Sequence, residues 1–216
     1  PKCLLKVGGK PIINHQLEAL KKIKIKEVII IVGYHREILM NHVKESFPDL
    51  NFKFIINHHF FETNTAYSLF LGKSELKTDI LLMNADVVYP AKLLEKLYYC
   101  KHETALAVDI KNCGEEEVKI IDGGNNKIVA IGKNLIESQC LGEFIGVAKL
   151  SKRFNLLFAE SLNELINSGG VNDYFEASIS LILDKIDVRF LDVSEFPCLE
   201  VDFKEDLDTA RELFKS

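Results

Sequence analysis

Val28-Ile29-Ile30-Ile31-Val32 is an unbroken run of β-branched residues bounded by Glu27 and Gly33. Such side chains are stiff at χ1 and favour extended backbone. A run with no polar alternation predicts a strand covered on both faces, the kind found in parallel sheets. Its surroundings carry the same message. Pro11 stands at the favoured first position of a helix in which Ile12, Ile13, Leu17, Leu20 and Ile23 recur at helical spacing. Residues 36–47 read as a helix stopped by Pro48, 52–57 as a strand, 66–76 as a helix, and 80–86 as an apolar strand ending in Asn84-Ala85-Asp86. Residues 90–100 read as a helix with Leu93, Leu94 and Leu97 on one face. Helices alternating with strands in this way predict βαβ units and a parallel sheet.

The second half changes character. Strands are predicted over 104–110, 118–122, 127–132 and 143–149, with Gly123-Gly124-Asn125-Asn126 as a hairpin turn. Helices follow over 151–167 and 172–185, strands over 188–193 and 199–201, and a last helix over 205–214. The expectation is one α/β domain whose mixed sheet gains antiparallel members late. A chain of 216 residues is long enough for a core of that kind.

The charge balance narrows the function. A net charge of -5 argues against a nucleic-acid partner, and Lys21, Lys22, Lys24 and Lys26 read as the solvated end of a helix. No apolar run approaches the roughly 20 residues that span a bilayer, and none reads as a signal peptide. The five cysteines, Cys3, Cys100, Cys113, Cys140 and Cys198, are odd in number and form no C-x-x-C pair. That suits reduced thiols in a cytoplasm better than a disulfide framework or a zinc site. A homo-oligomer is compatible with the chain, but nothing in it fixes the oligomeric state. The first residue is Pro rather than Met, so an N-terminal segment is expected to be missing.

Two acidic motifs close apolar runs: Ile80-Leu81-Leu82-Met83-Asn84-Ala85-Asp86 and Cys198-Leu199-Glu200-Val201-Asp202. Either aspartate alone would serve as a loop or helix cap. A strand ending in Asp, however, puts a carboxylate at the carboxyl edge of a sheet, where open α/β folds place ligands. Two converging there would form a hard oxygen site suited to Mg²⁺ and a nucleotide phosphate. The basic and glycine-rich elements Pro1-Lys2 and Gly8-Gly9-Lys10-Pro11 suit phosphate as well. His58-His59 lacks further ligands at metal spacing. Gly123-Gly124 is a turn rather than a phosphate cradle, since no helix follows it.

The segment Pro1-Lys2-x-Leu4-Leu5-x-Val7-Gly8-Gly9-Lys10-Pro11-Ile12-Ile13 resembles a signature of the nucleotidyltransferases that make nucleotide sugars and CDP-alcohols. The resemblance continues in order through Val32-Gly33-Tyr34, Asn64 to Leu69, Asn84-Ala85-Asp86-Val87-Val88, Glu200-Val201-Asp202 and Glu205-Asp206-Leu207-Asp208-x-Ala210. It implies a Rossmann-like three-layer sandwich with a mixed, mostly parallel central sheet. Asn64 to Leu69 look most like the phosphocholine and phosphonoalkyl cytidylyltransferases. The family's glycine-rich loop with an arginine, its main triphosphate-binding element, is not in this chain.

The resemblance implies transfer of CMP from CTP to a small phosphorylated amino-alcohol such as phosphocholine, or to a phosphonate, with release of pyrophosphate and dependence on Mg²⁺. A sugar-1-phosphate nucleotidylyltransferase and a non-catalytic nucleotide-binding relative are the alternatives. Asp86 and Asp202 would hold the metal, Lys2 would face the nucleotide phosphates, and Lys133 would meet the acceptor phosphate. Asn64, Thr65 and Ala66 would lie beside the base, and Glu200 is placed among the substrate-binding residues. Lys10 could neighbour a phosphate or be structural, and Ser68 could contact the base or begin a helix. For the acceptor's cationic end, an aromatic ring beside carboxylates would suit an amine. Tyr174, Glu143 and Glu176 are the candidates, although Glu176 would serve equally well as a carboxylate at a helix start.

Overall fold

The computed structural model describes residues 1–215. A 3-10 turn at Lys2–Leu4 precedes β1 (Lys6–Val7), β2 (Lys10–Pro11), α1 (Ile12–Lys22), β3 (Glu27–Val32), α2 (Arg36–Ser46) and β4 (Asn51–Ile56). Next come α3 (Thr65–Leu71), β5 (Ile80–Met83), β6 (Val87–Val88), α4 (Ala91–Tyr98), β7 (Ala105–Asp109), β8 (Lys119–Asp122) and β9 (Ile128–Gly132). The chain finishes with β10 (Gly142–Leu150), α5 (Lys152–Asn167), α6 (Glu176–Ser180), β11 (Arg189–Asp192), β12 (Leu199–Glu200) and α7 (Lys204–Leu213). It gathers into two compact units: Pro1–Ile56 with Met83–Tyr99 and the residues from Glu195 onward, and Asn57–Leu82 with Cys100–Ser194.

In the first unit, α1 buries Ile12, Ile13, Gln16, Leu17 and Leu20 on one stripe and packs on α4, which buries Leu93, Leu94 and Leu97. Pro11 caps α1 with extended backbone instead of forming its first residue, so the helix begins one position later than its sequence suggests. β3 pairs in parallel with β4 in unbroken register from Glu27↔Asn51 to Val32↔Ile56. The strand is not covered on both faces. Val28, Ile30 and Val32 are buried while Ile29 is 44% exposed, so the run reflects the strand preference of β-branched residues more than burial. β6 and β12 form a short antiparallel pair, Leu199↔Val88 and Glu200↔Val87. Beside it Val7, Ile12, Val88, Val201 and Ala210 form a small core.

In the second unit the sheet order is β11-β7-β10-β8-β9, with β5 also pairing with β10. β11 runs parallel to β7, whereas β10 is antiparallel to both β7 and β8, and β8 is antiparallel to β9. The chain is thus α/β with a mixed sheet, and its late strands supply most of the antiparallel pairings. Gly124, Asn125 and Asn126 take positive φ in the β8–β9 turn, as that hairpin chemistry requires. Phe154, Phe158 and Leu162 recur one turn apart on α5 and join Phe144, Phe175 and Ile179 in the main core. Ser151 Oγ caps α5 by accepting from Phe154 N at 3.3 Å.

Two helices are shorter than expected. α3 stops at Leu71 before Gly72, and a 3-10 turn at Lys73–Glu75 completes the stretch. The helix expected over 172–185 reduces to α6, because the preceding segment bonds elsewhere. Asn64 N donates to Val171 O, Ala66 N to Asp173 O, and Phe175 N to Thr65 Oγ1. Those bonds dock residues 171–175 against the start of α3 instead of into a helix of their own. No disulfide joins any of the five cysteines. Among the described residues, no helix is long and apolar enough to cross a membrane.

Candidate active site

The acidic motifs meet in the first unit through the β6–β12 ladder. Asp86 does not end a strand: β5 stops at Met83, and Asp86 occupies the turn leading into β6. Val201 N donates to Asp86 O at 3.0 Å, which aligns the Glu200-Val201-Asp202 segment with that turn. Each of Asp86, Glu200 and Asp202 offers a carboxylate oxygen, and the three oxygens lie within 4.8 Å of one another. A trio of hard anionic oxygens fits Mg²⁺, which prefers one or two carboxylates and retained water or phosphate oxygens.

Two features tune this trio. Burial pushes the Asp86 carboxyl above its usual value, and the Asp202 charge adds to the effect, while Lys2 opposes it. Lys2 Nζ lies 2.5 Å from Asp202 Oδ1. Burial disfavours the Lys2 ammonium, yet Asp202, Asp86 and Glu200 together hold its pKa above the usual lysine value. Asp206 accepts from Asp202 N at 3.0 Å and Phe203 N at 2.7 Å, which fixes Asp202 at the entrance to α7. Lys10 is less available for phosphate, since its ammonium is paired with Glu18.

The remaining candidates lie in the second unit. Asn64 is the N-cap of α3, its Oδ1 accepting from Thr65 N at 2.8 Å. Thr65 Oγ1 holds Phe175 N, Ala66 is fully buried, and Ser68 Oγ accepts from Asn57 Nδ2 at 3.1 Å. Asn57, buried and also donating to Thr63 Oγ1, organises the stretch before α3. It was missed in the sequence because a satisfied buried amide has no spacing signature. These polar groups therefore build the start of α3, whatever else they contact.

Lys133 follows β9, and its Nζ sits 4.4 Å from the centre of the Tyr174 ring and 3.5 Å from Glu116 Oε2. The ring expected to hold a substrate cation thus already faces a lysine. Glu143, at the start of β10, pairs with Lys111 Nζ at 2.6 Å, and burial raises its carboxyl pKa despite that partner. Lys111 also lies 4.0 Å from both Asp109 and Glu117. Glu176 is only 4% exposed, its Oε2 lacks a hydrogen-bond partner, and burial pushes its carboxyl up to about 7. Lys111 had no sequence signal, because strand pairing brings it to a partner 32 positions away.

The chain is 27% identical over 231 residues to the CTP:phosphoglutamine cytidylyltransferase of Campylobacter jejuni, across 96% of this chain and 90% of that protein. It is 30% identical over 107 residues to the CMP-5'-(3-aminopropyl)phosphonate synthase of Streptomyces rubellomurinus, a match spanning 50% of this chain and 17% of that one. It shares its fold with the CTP:phosphocholine cytidylyltransferase of Streptococcus pneumoniae, with a TM-score of 0.82 at 23% identity over 100% of this chain and 90% of that one. A MobA-like NTP transferase domain matches residues 1–125. With more than half of its length in that match, the chain belongs to the MobA-like NTP transferase family and is a nucleotidyltransferase.

Proposed function

We propose that this protein transfers CMP from CTP to a small phosphate monoester, phosphoramidate or phosphonate that carries nitrogen. The Asp86, Glu200 and Asp202 trio with Lys2 beside it is the observation that carries the reading. The choice of CTP rests on similarity to relatives whose names join CTP or CMP to phosphoglutamine and to an aminopropylphosphonate. An acceptor phosphate with a second pKa near 6 is largely dianionic at neutral pH, so its oxygen needs no general base. That oxygen forms a bond to the α-phosphorus while the bond from it to the β-phosphate oxygen breaks, releasing pyrophosphate. Catalysis then consists of alignment and charge neutralisation.

Asp86 and Asp202 would hold a Mg²⁺, with Glu200 alongside, and when bound the ion supplies Lewis-acid stabilisation of charge on the phosphates. Lys2 would neutralise nucleotide phosphate and Lys133 acceptor phosphate. Because Lys133 faces Tyr174 and Lys111 faces Glu143, the acceptor's nitrogen has no unshared aromatic ring among the sequence candidates. Surroundings made of paired charges without a free ring face suit a polar amide or amine better than a quaternary ammonium stacked on Tyr174.

Pyrophosphate release by the full-length protein tests the reading, with CTP, UTP, GTP and dTTP each offered phosphocholine, 2-aminoethylphosphonate, phosphoglutamine, glucose-1-phosphate and mannose-1-phosphate. Turnover restricted to CTP with a nitrogen-bearing acceptor is expected. A preference for a hexose phosphate would replace it with the sugar-1-phosphate reading.

A further inference from the structure

Gln16 is an amide on the apolar stripe of α1, 2% exposed and flanked by buried Ile12, Ile13, Leu17 and Leu20. Burying an amide there is unfavourable unless its hydrogen bonds are made. Its Nε2 donates to Asn84 O and to Val87 O, both at 2.8 Å. Both partners are carbonyls, so only the NH₂ end of the side chain can face them. The two acceptors flank Asp86, and the carbonyl of Asp86 itself accepts from Val201 N. The carbonyls of residues 84, 86 and 87 are therefore each held from outside the turn, two by one side chain of α1 and one by the segment that carries Glu200 and Asp202.

We infer that Gln16 is a positioning residue for Asp86: it sets the turn that aims the Asp86 carboxylate at the Glu200 and Asp202 oxygens. The inference rests on the metal reading above, and it assigns Gln16 no contact with substrate. A turn released from Gln16 can rotate its peptides, and a carboxylate that wanders by about an ångström loses much of its value as a ligand. Similar side-chain volume makes Gln16→Met the informative change, since it fills the same stripe without donating.

The experiment is Mn²⁺ binding followed by electron paramagnetic resonance in the presence of CTP and absence of acceptor, with folding checked by circular dichroism and CTP affinity measured separately. Gln16→Met is expected to raise the Mn²⁺ half-saturation concentration at least about tenfold, with acceptor KM unchanged. Gln16→Asn, which keeps the NH₂ one methylene short of the carbonyls, is expected to move it the same way and stands in if the first variant does not fold. Unchanged Mn²⁺ binding in a folded variant, against clear binding by the wild type, overturns the role of Gln16 alone. Absence of Mn²⁺ binding by the wild type overturns the metal reading, and this inference with it. A rise in half-saturation matched by an equal rise in acceptor KM would make Gln16 a general packing residue and contradict the inference.

Discussion

Glu176 carries a carboxyl that burial holds protonated far above the usual range, at about 7 against an ordinary 4.5. The folded chain therefore keeps a proton that the unfolded chain releases. Stability falls as pH rises from about 4.5 to about 7, and the cost is fully expressed above that. The corresponding energy is on the order of 3 kcal/mol as a ceiling. Glu176→Gln, which replaces the carboxyl with a neutral amide, should flatten this dependence and leave the variant more stable than the wild type at pH 8 but not at pH 5. Urea midpoints at the two pH values measure it, and parallel midpoints would contradict the burial argument. Asp86 and Asp202 were legible as a pair, because two acids closing apolar runs in the order of the resemblance imply one site, and the fold does bring their oxygens together. Gln16, Asn57 and Lys111 were not, because their roles depend on partners that only tertiary contact supplies.

At the scale of elements, the sequence placed every helix and strand that carries an unmistakable period, including the hairpin at Gly123 to Asn126. It overstated the coverage of β3 and the length of the helix after Gly170, where bonds to α3 take hold of residues 171–175. Tightness at strand junctions was also out of its reach. A Cβ on Gly142 would lie 2.2 Å from Asp109 O and 2.8 Å from Ile110 Cα. Both are main-chain atoms of the β7 end, so they cannot turn aside. Gly142→Ala should cost about 1–3 kcal/mol and disturb the neighbouring Glu143–Lys111 pair. Gly123→Ala meets instead a methyl of Val129 at 2.3 Å, on a side chain half exposed to solvent that can give way outward, and should cost less. Thermal unfolding of the two variants checks the order; equal losses would contradict it.

Across the whole molecule, the first unit is assembled from three stretches of chain, and its two acidic motifs are more than a hundred positions apart in sequence. Their meeting depends on two short strands, β6 and β12, of two residues each. Order along the chain made the family resemblance visible, and the pairing of those strands explains how the two motifs come together. The proposed function requires Asp86 and Asp202 to act as one site. It is tested most directly by a double-mutant cycle of Asp86→Ala and Asp202→Ala on kcat/KM with CTP and the preferred acceptor, with folding verified for each variant. Each single change should lower kcat/KM at least about a hundredfold, and the double variant should be little worse than the poorer single one, because either change dismantles the same site. Near-normal turnover in either single variant, or losses that multiply in the double, would contradict the account.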